Sequence, residues 1–171
     1  MHQWNGSKVQ PCLKVGEKAQ INQTEQKSLI IYTTKDANLD LSLIQTADVV
    51  VDAIRSAGGT AVANYDSVEQ GDRIIQTAIQ NWGRIDILIN NAGILRDITV
   101  KNMTDKDWDL IMTVHVTGAY RTSRAAWPHF RRQNFGRIIN TSSTSGLYGN
   151  FGQANYAGKY DLIKPLLSLE G

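Results

Sequence analysis

Apolar and polar positions change period repeatedly along this chain, and the changes mark out an alternation of strands and helices. The leader, residues 1–27, is rich in Gln, Asn and Lys, holds no sustained period, and reads as irregular. Ser28–Thr34 is short, β-branched and aromatic, which predicts a strand, and Asp40–Gln45 reads as a turn or a second short strand. Ala47–Ala57 supports two readings. Val49, Val50 and Val51 favour a strand, whereas Val50, Val51 and Ile54 suit one helix face, with Gly58-Gly59 as a stop. A strand over Thr60–Tyr65 follows, then a helix over Ser67–Trp82 for which Asp66 is a candidate N-cap. Ile85–Asn90 is an apolar run fit for a central parallel strand, and Asn91, Ala92 and Gly93 form the turn at its carboxyl end.

Thr104–Asp107 carries a capping-box variant with Asp in the third position. Beyond it, Trp108, Ile111, His115, Gly118, Thr122 and Ala125 recur at three- and four-residue spacing. That spacing predicts a long helix over 104–132 with one buried face, punctuated near its end by Pro128. Arg137–Asn140 reads as another buried strand, and the hydroxyls Thr141 to Ser145 sit where it stops. A Gly-rich loop then leads to a helix with Tyr156 and Lys159, which Pro165 should end.

Composition narrows the class only a little. At 171 residues, with 42% hydrophobic and 20% charged, the chain is one domain in size and ordinary in balance. A net charge of +2 gives no electrostatic case for nucleic acid or an anionic membrane. Cys12 is the lone cysteine, and His2, His115 and His129 show no metal-ligand spacing, so neither a disulfide framework nor a metal site is expected. No apolar run reaches the roughly eighteen residues of a membrane span, and the leader lacks the apolar core of a secretory signal. The last residues, Leu169-Glu170-Gly171, are not a Ser-Lys-Leu address.

The candidate chemistry lies between Asn140 and Tyr160. In open α/β sheets, ligands bind outside the carboxyl ends of the strands, which is where Ser143 falls. A free tyrosine, with a pKa of about 10, is a poor base near neutrality. A lysine ammonium and a cationic nicotinamide nearby favour a phenolate, which can take the proton of a substrate alcohol while a hydride leaves the same carbon. Ser143 would hold the substrate oxygen, Tyr156 would act as base, and Lys159 would assist it. A hydroxyl-rich loop with ordinary surface Tyr and Lys is the plainer alternative.

Residues 140–160 resemble the active-site segment of short-chain dehydrogenases/reductases. The words Ile85–Asp97, Asp105–Asp109, Arg124–Pro128 and Gly149–Tyr156 resemble, more narrowly, the (3R)-hydroxyacyl-CoA dehydrogenase domains of peroxisomal β-oxidation enzymes, in their fungal form. The resemblance runs from about Ala47 to Tyr156 within a partial domain spanning 28–171. It implies an incomplete doubly wound, Rossmann-like α/β sheet, parallel and with helices on both faces. It settles Ala47–Ala57 as a helix. It also implies NAD as cofactor, an acyl-CoA substrate, a peroxisomal setting, and a homodimer or a pairing with an intact homologue through helix 104–132. By the same resemblance Asp66 contacts the adenine, and Asn91, Ala92 and Gly93 lie along the ribose and nicotinamide. His115 stands where many relatives have an asparagine that holds a water in a proton relay; a packed, hydrogen-bonded histidine is the equal alternative.

The chain departs from the family at both ends and reads as a domain trimmed there. Where the family has Thr-Gly-x-x-x-Gly-x-Gly, Thr33–Ser42 contains no glycine, and Lys35 alone does not replace a ring of backbone donors. The acidic residue that would choose NAD over NADP is not identifiable, so both dinucleotides stay open. The family pattern Tyr-x-x-x-Lys puts the lysine at position 160, which is Tyr160 here, and Lys159 falls one residue short. On a helix that is a turn of about 100° and a rise of about 1.5 Å. Lys164 is too far along to substitute. A catalytically silent chain acting through its dimer helix is therefore the alternative to an enzyme.

Overall fold

The computed structural model describes residues 28–32 and 42–163. The leader, Thr33, Thr34, Lys35, Lys164 and Pro165 lie outside the described residues. In order, the elements are β1 (Ser28–Tyr32), α1 (Ser42–Ser56), β2 (Thr60–Asn64), α2 (Gly71–Trp82), β3 (Ile87–Asn90), α3 (Asp105–Met112), α4 (Gly118–Gln133), β4 (Arg137–Asn140), α5 (Ser145–Tyr148) and α6 (Ala154–Ile163). Every described strand pairing is parallel, and the strands form two pairs, β1 with β2 and β3 with β4. Helices connect and cover them, which makes this an incomplete doubly wound α/β fold. β1 supplies the neighbour that β2 needs, in register from Ser28 opposite Thr60 to Tyr32 opposite Asn64.

The segment that read two ways, Ala47–Ala57, is helical. Ala47 and Val51 are buried one turn apart, Ile54 is half-buried, and Val49 faces solvent. Gly58, at φ +84°, ends the helix by sending its N–H to Arg55 O (2.9 Å), while Gly59 N–H bonds Ile54 O (2.9 Å). The expected turn or strand over Asp40–Gln45 is overturned: from Ser42 onward it belongs to α1. The reason is visible in the spacing. Leu43, Ala47 and Val51 stand four apart, and the helix simply begins a turn earlier.

The hydrophobic core is a cluster of Ile75, Ala78, Ile85, Leu88, Ala126 and Phe130, drawn from α2, β3 with its approach, and α4. Its helices approach closely because α2 begins with glycine. A Cβ on Gly71 would lie 2.5 Å from Thr122 N, inside the α4 backbone. A glutamine joins the far end of α4 to β3: Gln133 Oε1 accepts from Ile85 N–H (3.1 Å) and Nε2 donates to Ile85 O (2.5 Å). These contacts fix β3, and the parallel register places Asn90 opposite Asn140.

The long helix starts as its sequence predicts. Thr104 Oγ1 accepts from Asp107 N–H (3.2 Å) and the Asp107 carboxylate accepts from Thr104 N–H (3.2 Å), a complete capping box. A π-helical turn, Thr113–Thr117, joins α3 to α4 and carries His115. Of the predicted inner face, Ile111, His115, Gly118 and Thr122 are buried. Trp108 is 42% exposed, its ring edge against Gly158 of α6, and Ala126 rather than Ala125 is the buried alanine. Pro128 does not punctuate the helix, which runs on to Gln133 and ends at Asn134 in the left-handed region (φ 52°). Pro128 and Arg124, whose carbonyl loses an N–H partner to the proline, are both on the exposed side, which leaves that carbonyl open to solvent.

Candidate active site

The carboxyl ends of β3 and β4, the π-turn and the first turns of α6 enclose a cavity of ≈ 410 Å³. Its wall includes the sequence candidates Asn91, Ala92, Gly93, His115, Tyr156 and Lys159. Three segments far apart in sequence, the turn after β3, the π-turn and α6, thus deliver six of the eight candidates to one place. The other two lie elsewhere. Ser143 is not part of the cavity wall; its Oγ accepts from Ser145 N–H (3.3 Å), although Thr141, two residues before it, does line the cavity. Asp66 borders a separate depression with Asp72 and Arg73. Nor is Asp66 the N-cap: Ser67 Oγ caps the 3-10 turn Val68–Gln70 that leads into α2 by accepting from Glu69 N–H (3.3 Å), and α2 itself follows Gln70 with no side-chain cap. The Asp66 carboxylate instead accepts from Asn64 Nδ2 (3.0 Å) and lies 3.6 Å from the Arg73 guanidinium.

At the centre is a buried pair. Lys159 is 1% exposed and its Nζ lies 2.5 Å from His115 Nδ1 and 3.4 Å from the centroid of the Tyr156 ring. His115, 8% exposed, packs its ring edge-on to Tyr156 with centroids 5.4 Å apart. Its Nε2 lies 2.8 Å from Ile94 O and 3.0 Å from Ile94 N. With the proton on Nε2, Nε2–H donates to Ile94 O and Nδ1 accepts from the lysine; in the other tautomer Nε2 would instead accept from Ile94 N–H. Burial pushes the His115 pKa down to about 4, against a small rise from its bond to Ile94; the charge of Lys159 lowers it further. Burial likewise lowers Lys159 to about 7, so near neutrality the pair shares a single ionisable amine on a neutral imidazole.

The one-residue displacement of the lysine has a physical counterpart here. At the third position after Tyr156, Lys159 is carried against the π-turn, where His115 receives it. Gly93 is shaped by the same contact. A Cβ there would sit 2.6 Å from His115 Cε1, so its smallness is required by the histidine even before any ligand is considered.

Sequence reasoning passed over four further polar wall residues. Asn90 Nδ2 donates to Asn140 Oδ1 (2.8 Å) across the strand pair, and Thr122 Oγ1 donates to Asn90 Oδ1 (2.7 Å). Thr141 Oγ1 donates to Asn91 Oδ1 (2.7 Å), closing the two strand ends on each other. The available signal was an asparagine at the end of each of two apolar runs, Asn90 and Asn140. Among the described residues, no three acidic, His or Cys side chains converge to hold a metal ion, and no helix is long and apolar enough to cross a membrane.

The sequence profile of the short chain dehydrogenase family matches residues 32–160. This chain belongs to the short-chain dehydrogenase family. Among its relatives, the peroxisomal hydratase-dehydrogenase-epimerase of Neurospora crassa is 72% identical over 113 residues, covering 66% of this chain and 13% of that protein. The peroxisomal multifunctional enzyme type 2 of Mus musculus is 58% identical over 111 residues, covering 65% of this chain and 15% of the relative. The chain thus spans only a small part of those proteins. The full-length multifunctional enzyme type 2 of Drosophila melanogaster superposes with a TM-score of 0.62 at 46% identity, over 71% of this chain and 21% of that one. An NAD+-bound xylitol dehydrogenase superposes at 0.72 over 81% of this chain and 52% of its own, but at 24% identity, a likeness of fold alone.

Proposed function

We propose that this chain is an oxidoreductase module for the NAD-dependent oxidation of (3R)-3-hydroxyacyl-CoA in peroxisomal fatty-acid β-oxidation. The observation that carries the proposal is the convergence of Tyr156, Lys159, His115 and the 91–93 turn on one cavity. The identities with peroxisomal multifunctional enzymes support the substrate class and the compartment. The cavity's volume and its wall of small residues and amides suit the nicotinamide-ribose end of a dinucleotide, with Asn91, Ala92 and Gly93 along the ribose. When bound, the nicotinamide supplies the hydride acceptor.

In this reading Tyr156 takes the hydroxyl proton of the substrate. Lys159 places its ammonium against the face of the Tyr156 ring, and its proton can pass to His115 Nδ1, which the bond from Nε2–H to Ile94 O keeps oriented. Ser143, two residues beyond the cavity-lining Thr141, holds the substrate oxygen. Asp66 serves the adenine end. A titration of the purified chain with NADH, followed by turnover assays with NAD and a 3-hydroxyacyl-CoA, tests the proposal. Saturable NADH fluorescence enhancement and turnover that Tyr156→Phe abolishes are the expected results. A folded chain that binds no NADH refutes it.

One observation favours a second reading. Trp108, at 42%, and Tyr120, at 46%, are exposed along the 104–132 helix. In that reading the chain is catalytically silent and pairs through this helix with an intact homologue. Co-purification with such a homologue, lost on Trp108→Asp, is the expected result; co-purification unchanged by the substitution removes the reading.

A further inference from the structure

The segment that carries Ser143 and the helix that carries Tyr156 meet at a residue assigned to neither. Gln153, 8% exposed, is bonded at both ends of its side chain. Its Nε2 donates to Asp97 Oδ1 (3.0 Å) in the segment that follows the 91–93 turn. Its Oε1 accepts from Ser145 Oγ (2.9 Å) and from Asn150 Nδ2 (3.1 Å). Ser145 is the residue whose N–H donates to Ser143 Oγ (3.3 Å), so the serine turn is fastened to Gln153 through one intermediate. Its main chain meanwhile starts the tyrosine helix, with Gln153 O accepting from Ala157 N–H (2.7 Å).

Two neighbouring contacts reinforce the clasp. Gly152 O accepts from Ile98 N–H (2.7 Å), and the fully buried Asn155 reaches Arg96 O (3.4 Å) while accepting from Tyr156 N–H (2.7 Å). Gln153 differs from both in joining all three parts at once: the serine turn, the tyrosine helix and the 94–98 segment on which His115 is anchored through Ile94. An amide suits the position because one end must donate to a carboxylate while the other accepts from a hydroxyl and an amide. We propose that Gln153 is the positioning residue of this site, setting the separation of Ser143 from Tyr156 by its bond to Asp97. The proposal rests on the dehydrogenase reading for its kinetic consequence, but the clasp itself does not.

The test exchanges donor and acceptor across the Asp97 bond. Gln153→Glu places an acceptor against the Asp97 carboxylate while leaving the other oxygen to Ser145 and Asn150. Adding Asp97→Asn restores a donor facing an acceptor, with direction reversed. With NAD and a 3-hydroxyacyl-CoA, the single variant is expected to lose about tenfold or more in kcat, as small displacements of reacting groups do, with NADH affinity unchanged. The double variant is expected to recover most of that loss, and the split between a lowered kcat and an unchanged NADH affinity is what a merely structural role would not produce. Wild-type kcat in the single variant, or a double variant as slow as the single, overturns the proposal. Should the parent chain show no turnover, the dehydrogenase reading fails by itself, and amide hydrogen exchange over residues 143–156 decides about Gln153. Faster exchange in Gln153→Glu that the double variant reverses supports it; unchanged exchange refutes it.

Discussion

Replacing Lys159 by methionine should change how stability depends on pH, and the direction follows from the site. In the unfolded chain the lysine titrates near its ordinary value of 10.5, whereas burial lowers it to about 7 in the fold. Between those values the unfolded chain holds a proton that the folded chain lacks, so stability rises with pH through the window. Below about pH 7 both states are protonated, and the burial cost is present in full and constant. Each pH unit inside the window is worth about 1.4 kcal/mol, so from about pH 7 to about pH 9 the parent chain should gain on the order of 2 kcal/mol. Lys159→Met has no such titration. His115, neutral in the fold across this range, and the exposed Tyr65, raised by its hydrogen bond from the hydroxyl to Asp48, are common to both chains and cancel in the difference. Urea unfolding followed by tryptophan fluorescence at several pH values gives the two curves. The expected result is a parent-minus-variant difference that climbs with pH. Parallel curves across the window would refute the buried, depressed lysine and with it the His115–Lys159 pair as described.

Three further outcomes follow from the packing and capping, each read by chemical denaturation. Gly71→Ala drives a methyl into the α4 backbone 2.5 Å away at Thr122 N and should cost about 1–3 kcal/mol, because backbone cannot step aside as a side chain can; a neutral effect would show that α2 and α4 are farther apart. Ile111→Ala empties a fully buried position on α3 and should cost about 2–5 kcal/mol. Thr104→Ala removes the acceptor for Asp107 N–H and should cost about 1 kcal/mol, a loss that Thr104→Ser largely avoids.

The family and the order of elements were legible in the chain itself, because they are written in local patterns. The capping box at Thr104 and Asp107 could be read from four consecutive residues, since its partners lie within one turn. The strand within Ile85–Asn90 could be read from its apolar, β-branched run, although the fold buries Ile85 and Leu88 and leaves Ile87 51% exposed, and Tyr156 could be singled out from its own neighbourhood. Ala47–Ala57 was ambiguous for the same reason: three successive valines satisfy a strand and a helix face equally; the family resemblance pointed to the helix, and the burial of Ala47 and Val51 one turn apart agrees with it.

Contacts between distant segments were a different matter. Nothing local to Lys159 indicates that its ammonium meets His115, forty-four residues away, or that a lysine displaced by one position finds a histidine waiting on a π-turn. Gly71 is an ordinary glycine until Thr122 is beside it, and Gln153 is an ordinary loop glutamine until Asp97 faces it. Ser143 and Asp66 look equivalent to the other candidates in sequence, yet the fold sets both outside the cavity wall. Periodicity and capping act over a few residues and leave their mark in composition. Close approach, burial of charge and the meeting of strand ends depend on how remote elements pack, and those were set by the tertiary structure.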